Sequence, residues 1–383
     1  LISALLSDSD KEMGLKCGVV GLPNVGKSTI FNALTAAGAV VANYPFCTID
    51  PNVGIVPVPD PRLHRISELI KPEKMTPTIL EVVDIAGLVK GASQGAGLGN
   101  KFLSHIREVD AILHVVRCFE DPNVVHVAPD GDGDSECVDP IRDIEVIETE
   151  LALSDLETVE KRMLRNERLV KGGDKGIKEE QEALAEVKKG LDAGKMARSI
   201  GLNEEQKNKI RELFLLTLKP VLYIANVSEE DLKGTHPKLE KLQEFSKKRG
   251  EIVIQLCGKI EAEISLLPKG EQKEFLKSLG IEEPGLDHLV REAYRLLKLI
   301  TFFTAGKKEV RAWTVPFGTK APQAAGTIHS DFEKGFIRAE AYHYNDLIQH
   351  KFEAEVKAKG LMRLEGKEYV VRDGDILFFR FNV

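Results

Sequence analysis

Nine residues near the start of the chain, GLPNVGKST (21–29), constrain it more than any other stretch. They match G-x-x-x-x-G-K-[ST], follow the apolar run LKCGVV (15–20) and lead into an apolar helical pattern from Ser28 to Ala37. Strand, glycine loop and helix in that order turn successive backbone N–H groups and a helix N-terminus towards one point, which suits phosphate oxygens. Gly26 lets the backbone approach closely. Lys27 brings a point charge to the β- and γ-phosphates, and Ser28 an oxygen for Mg²⁺. Asn24, Val25, Gly26, Lys27, Ser28 and Thr29 form the candidate phosphate-binding set, with Lys27 also the candidate for acting on the transferred phosphoryl group.

Apolar runs recur at 79–84 (ILEVVD), 111–117 (AILHVVR), 219–226 (KPVLYIAN) and 251–256 (EIVIQL). Separated by helical stretches, they read as a parallel sheet covered on both faces, an α/β doubly wound P-loop NTPase domain with its ligand at the carboxyl ends of the strands. The spacing breaks between 117 and 219. There a polar loop, APDGDGDSECVD (128–139), precedes Val146, Leu153, Leu156 and Met163 at heptad-compatible positions, and Leu184, Val187 and Leu191 repeat the pattern after the turn KGGDKG (171–176). This predicts an inserted α-helical hairpin, coiled-coil-like, as a solvated arm. After an amphipathic helix in 283–300, short strand-like segments EVRAWTV (309–315), KEYVVRDG (367–374) and DILFFRFNV (375–383) predict a small α+β domain, with GKK (306–308) and RDGD (372–375) as turns.

Charge and cysteine usage exclude several classes. The formal net charge is −7, and residues 300–383 hold 13 Lys and Arg against 11 Asp and Glu, so no basic stripe points to DNA. The five cysteines form no C-x-x-C pair, which argues against a disulfide framework or zinc site and fits a reducing, cytoplasmic setting. No uninterrupted apolar run reaches membrane-spanning length. Residues 1–12 are expected to be an extension before a start at Met13, and the chain is expected to be a monomer.

Two further segments support the phosphate loop. EVVDIAGL (81–88) ends a buried strand in Asp84, which can hold Mg²⁺ through water, while the Gly87 N–H faces a γ-phosphate. NYPFCTID (43–50) puts Thr48 in a loop that can close over Mg²⁺ as a switch. The position after D-x-x-G, where a water-orienting glutamine is common, is Leu88. An apolar side chain cannot orient water, so hydrolysis must draw on another group or be slow.

Together GLPNVGKST, PFCTIDPN, DIAGLVKGASQGAGLGNKFLSHIRE, NVSE (226–229) and APQAAGTIHSDFEKGFIRAE (321–340) resemble the YchF/Obg-like ATPase family over essentially all of residues 13–383. The resemblance implies a nucleotide-binding domain in two parts (13–139 and 208–300), a helical insert (140–207) and a C-terminal TGS domain of β-grasp form (301–383). It further implies preference for ATP over GTP, contact with the ribosome or ribosomal RNA, a catalytic histidine that falls on His126, and a potassium ion held through Asn24. His105 and His114 are rivals for the catalytic role, the latter inside an apolar strand.

The segment IANVSEED (224–231) carries the base reading. GTP-binding proteins usually place Asn-Lys-x-Asp here, with the Asp accepting from guanine. Val227 removes the lysine stem and charge, and Glu229 sets its acceptor one methylene further out. Asn226 remains able to pair with the N7 and N6 amine of adenine. CGK (257–259) occupies the place of a second base-contacting loop. The expected activity is that of an ATP-hydrolysing switch. A nucleotide-gated binding module with incidental hydrolysis, and a conventional GTPase, stand as alternatives.

Overall fold

The computed structural model describes residues 15–39, 52–85, 98–121, 138–170, 174–234 and 236–382. In chain order the elements are β1 (Lys16–Val20), α1 (Lys27–Ala39), β2 (Val53–Pro57), α2 (Pro61–Ile70), β3 (Lys74–Thr76), β4 (Ile79–Asp84), α3 (Leu98–Arg107) and β5 (Ala111–Arg117). There follow α4 (Pro140–Val170), α5 (Lys175–Asp192), α6 (Glu204–Lys209), β6 (Val221–Asn226), α7 (Pro237–Arg249), β7 (Ile252–Leu256), α8 (Gly258–Leu266), α9 (Lys269–Leu279) and α10 (Gly285–Leu296). The remainder is β8 (Leu299–Ala305), β9 (Glu309–Pro316), α11 (Ala321–Gly326), α12 (Ser330–Lys334), β10 (Phe336–His343), α13 (Tyr344–His350), α14 (Glu353–Ala358), β11 (Arg363–Glu365) and β12 (Asp375–Phe381).

The chain divides into two units, Lys16–Gly54 with Glu81–Leu289, and Ile55–Leu80 with Val290–Val383. The first is built on a six-stranded sheet in the order β2-β4-β1-β5-β6-β7. β1 pairs in parallel with β4 and β5, β5 with β6, and β6 with β7. Every residue of β5 and β6 is buried. That burial explains their near-continuous apolar sequence, since a central parallel strand has no face left for water.

The insert is a hairpin of α4 and α5, whose seam joins Ala152, Val159, Ala183, Leu184, Val187 and Leu191, with Leu156 and Met163 against it. Leu153, expected in the seam, is 44% exposed. The helical period carries 152, 156, 159 and 163 along one face and turns 153 away from it. Asp174 caps α5 by accepting from Gly176 N (2.8 Å) and Ile177 N (3.4 Å). Asp155 on α4 is fully buried and accepts from Leu216 N (2.9 Å), Thr217 N (2.7 Å) and Thr217 Oγ1 (2.6 Å), so the segment after the hairpin is tied back to its first helix.

The second unit holds a mixed sheet in the order β11-β10-β12-β8-β9-β3. The β8–β9 hairpin, with β12 parallel to β8 and antiparallel to β10, is the β-grasp arrangement. One face packs Phe302, Val315, Ala324, Ala339 and Phe379, the other Leu63, Ile66, Phe303, Tyr342 and Ile376. The segment 55–80, read from the sequence as part of the nucleotide domain, clusters with these C-terminal residues. β3 pairs with β9, Thr76 Oγ1 donates to Glu309 Oε1 (2.5 Å), and Arg62 of α2 bonds Asp373 (2.7 Å). KEYVVRDG, expected to be a strand, instead makes one isolated bridge, Lys320 to Val370, while Phe336–His343 takes the strand position. The cause is Asp375: its Oδ2 accepts from Tyr369 Oη (2.7 Å) and Arg372 N (2.9 Å) and bends that segment into a turn.

Candidate functional site

The phosphate loop joins β1 to α1. It starts hard against the neighbouring strand, since a Cβ on Gly21 would lie 2.8 Å from the Val115 carbonyl oxygen. Asn24 and Gly26 have positive φ, 63° and 91°. Gly26 is required twice over: its backbone is left-handed, and a Cβ there would sit 2.2 Å from Asn226 Nδ2. Val25 is buried, whereas Asn24, Ser28 and Thr29 are exposed. Ile30 N donates to Gly26 O (3.0 Å), so the helix starts at once and its positive end faces the loop.

Asp84 ends β4, registered against Val19 of β1. Its Oδ1 accepts from Lys27 Nζ at 2.5 Å, with the side chains 20% and 11% exposed respectively. The carboxylate thus lies at the mouth of the phosphate loop. One hydroxyl from Ser28 and one carboxylate from Asp84 form the sparse oxygen set that suits Mg²⁺, which keeps water and takes its other ligands from phosphate. Among the described residues no three His, Cys, Asp or Glu gather to hold a metal by themselves. Thr48, Gly87, Leu88 and His126 lie outside the described residues.

A cleft of about 1310 Å³ opens beside the loop. Asn24, Gly26 and Thr29 line it from the loop, residues 226–233 from beyond β6, 119–121 from beyond β5, and 257–260 from beyond β7. The carboxyl ends of the central strands therefore converge on it, as the parallel topology requires. Val227 is buried and its N–H donates to Leu256 O (2.9 Å), which points an apolar residue inward where a guanine reader has lysine. Glu229 is exposed at the start of a short turn held by Ser228 Oγ donating to Asp231 Oδ2 (2.7 Å).

Asn226 does something other than the sequence suggests. Its Nδ2 donates to Val25 O (2.9 Å), and its Oδ1 accepts from Gly258 N (2.9 Å). It is 5% exposed and clamps the phosphate loop to the base loop. The two-point pairing with adenine expected of it would have to use the second hydrogen and the second lone pair of an amide already bonded to two buried backbone groups.

Two residues absent from the sequence reading belong to this site. Arg117 ends β5 in register with Asn226, is 1% exposed, and holds its guanidinium 4.6 Å from the centre of the Phe119 ring. Phe119 lines the cleft. The available signal was position alone: both follow a central strand at its carboxyl end. Of the rival histidines, His114 is a core residue, tilted against Tyr223 with ring centroids 5.5 Å apart and pushed down to about 4 by burial. His105 is exposed in the last turn of α3.

Comparison with known proteins agrees with this architecture. Residues 16–151 match the family model described as a 50S ribosome-binding GTPase, and residues 299–382 match the YchF-GTPase C-terminal model, described as a protein of unknown function. The ribosome-binding ATPase YchF of Pasteurella multocida is 54% identical over 371 residues, covering 97% of this chain and 100% of the relative. Its namesake in Bacillus subtilis is 56% identical over 373 residues, with the same coverage. The solved structure of the Schizosaccharomyces pombe YchF GTPase superposes with a TM-score of 0.86 at 42% identity, covering 96% of this chain and 98% of that one. With its phosphate loop, inserted helices and β-grasp unit matched end to end, the chain belongs to the YchF family.

Proposed function

We propose that this protein binds and hydrolyses ATP in preference to GTP and works as a ribosome-associated switch. The observation that carries this reading is a complete phosphate loop clamped through Asn226 to a base cleft whose guanine-reading positions hold buried Val227 and exposed Glu229. Isothermal titration with ATP and GTP tests it: tighter ATP binding is expected, and tighter GTP binding would overturn it.

In the working site, Asn24 to Thr29 cradle the phosphates, Lys27 leaves Asp84 for the β- and γ-phosphates, and Val227 packs on the base. Ser28 and Asp84, with Thr48, would hold Mg²⁺, which supplies positive charge against the charge developing on the transferred group. Gly87 would offer its N–H to the γ-phosphate. Glu229 is exposed beside Val227 and borders the base without the two-bond geometry guanine needs. His126 orients the attacking water, a role Leu88 cannot fill; loss of turnover with retained ATP affinity in His126→Ala is the expected result. Asn24 is exposed on the loop and would help hold a potassium ion, with stimulation by K⁺ but not Na⁺ as the signature.

The ribosome as partner is carried over from the names of the relatives. Co-sedimentation with ribosomes in ATP, ADP and a non-hydrolysable analogue is expected to differ between states. Equal pelleting in all three would favour the second reading, a binding module with incidental hydrolysis, which Leu88 supports. No described helix is long and apolar enough to cross a membrane; the cytoplasmic setting is carried over with the ribosome as partner.

A further inference from the structure

We propose that Arg117 is a positioning residue for nucleotide selection, setting the Phe119–Asp121 wall of the base cleft from behind; this rests on the ATP reading above. Arg117 is among the largest fully buried side chains of the protein and yet carries a permanent charge. Its Nε donates to Phe119 O (3.1 Å) and its Nη2 to Asp121 O (3.3 Å), while its guanidinium lies over the Phe119 ring. One planar fork therefore holds two carbonyls and one aromatic face of the same short segment, which fixes both backbone and ring.

The placement gives that fixation a consequence. Arg117 is in register with Asn226, and Cys118 N donates to Asn226 O at 2.8 Å. Asn226 in turn clamps the phosphate loop and the base loop. Arg117 and Asn226, side by side at the ends of β5 and β6, thus organise three of the segments around the base: Asn226 the loops at 25 and 258, Arg117 the loop at 119–121. A buried cation is costly without partners. Here its fork is matched to the wall beside it, so a lysine, with a point charge and no fork, keeps the charge and loses the geometry.

The test measures ATP and GTP affinity by titration, and turnover at saturating ATP, for wild type, Arg117→Lys, Phe119→Leu and the double variant, with folding checked by circular dichroism. Arg117→Lys is expected to weaken ATP binding about tenfold, to narrow the ATP-to-GTP ratio, and to leave turnover at saturation within about twofold. In the double variant the lysine should add little to the effect of Phe119→Leu, because both act through one wall. Additive losses, or equal weakening of ATP and GTP with the ratio unchanged, would overturn the proposal. Should Arg117→Lys fail to fold, Phe119→Leu alone decides: unchanged affinity and preference would mean that no positioned wall meets the base. Failure of the wild type to prefer ATP would instead count against the ATP reading itself.

Discussion

Replacing Asn226 by alanine separates a clamp from a base reader. The substitution removes the bonds to Val25 O and Gly258 N, both 2.9 Å long, and strands a buried carbonyl and a buried N–H. A buried polar group left without its partner costs about 1–3 kcal/mol, so the pair amounts to roughly 2–6 kcal/mol. That cost falls on the registration of the phosphate loop against the base loop. Every 1.4 kcal/mol of it expressed in binding weakens affinity about tenfold. The informative ligand is one with no base: inorganic triphosphate, titrated beside ATP and GTP. A clamp predicts that Asn226→Ala weakens all three, because the loop that cradles the phosphates has lost its anchor. A base reader predicts that ATP alone weakens. Urea unfolding run in parallel should show a loss of about 2–6 kcal/mol without ligand. Unaltered triphosphate affinity together with unaltered stability would refute the clamp. Asn226→Asp sharpens the comparison: it keeps an acceptor for Gly258 N but sets a carboxylate oxygen against the Val25 carbonyl, so it too should weaken triphosphate binding.

Other perturbations follow from the same geometry. Gly26→Ala forces a Cβ to 2.2 Å from Asn226 Nδ2 at a φ of 91°, and should abolish measurable ATP binding in titration while the other unit, followed by its Trp313 fluorescence, unfolds as in wild type. His114, lowered by burial from 6.5 to about 4, stays neutral in the fold. The unfolded chain therefore binds its proton first, and stability present above pH 6.5 is lost as pH falls towards 4, roughly 3 kcal/mol in all. His114→Phe should flatten that limb of the stability profile. Asp155→Ala strands the N–H groups of Leu216 and Thr217 and the Thr217 hydroxyl, and should lower unfolding free energy by about 3 kcal/mol or more in urea titration.

Much of the molecule is legible in one sequence because its signals are local. The strands 111–117 and 221–226 are buried on both faces, so each is a near-continuous apolar run that announces itself. The phosphate loop is legible because left-handed backbone and close approach demand glycine at fixed spacing. Leu153 was misplaced because the seam position is held by Ala152, one residue earlier, a side chain too small to mark an apolar stripe in the sequence. The strand at 336–343 escaped because its alternation is broken by exposed Ile337 and Arg338, where the pairing with β12 shifts register.

The site divides in the same way. The sequence by itself determined which chemistry the chain can hold: a lysine and a hydroxyl on a glycine loop, an aspartate at a strand end, and a base loop with valine for lysine. Each of these is a property of consecutive residues. Only the tertiary structure decided what those groups do to one another. Asn226 is 201 positions from Val25 and 32 from Gly258. Whether its amide faces a base or two backbones depends on how β1, β6 and β7 come together in the sheet. Arg117 and Phe119 are two residues apart, yet their part in the cleft exists because β5 lies beside β6, a pairing set by packing between distant segments.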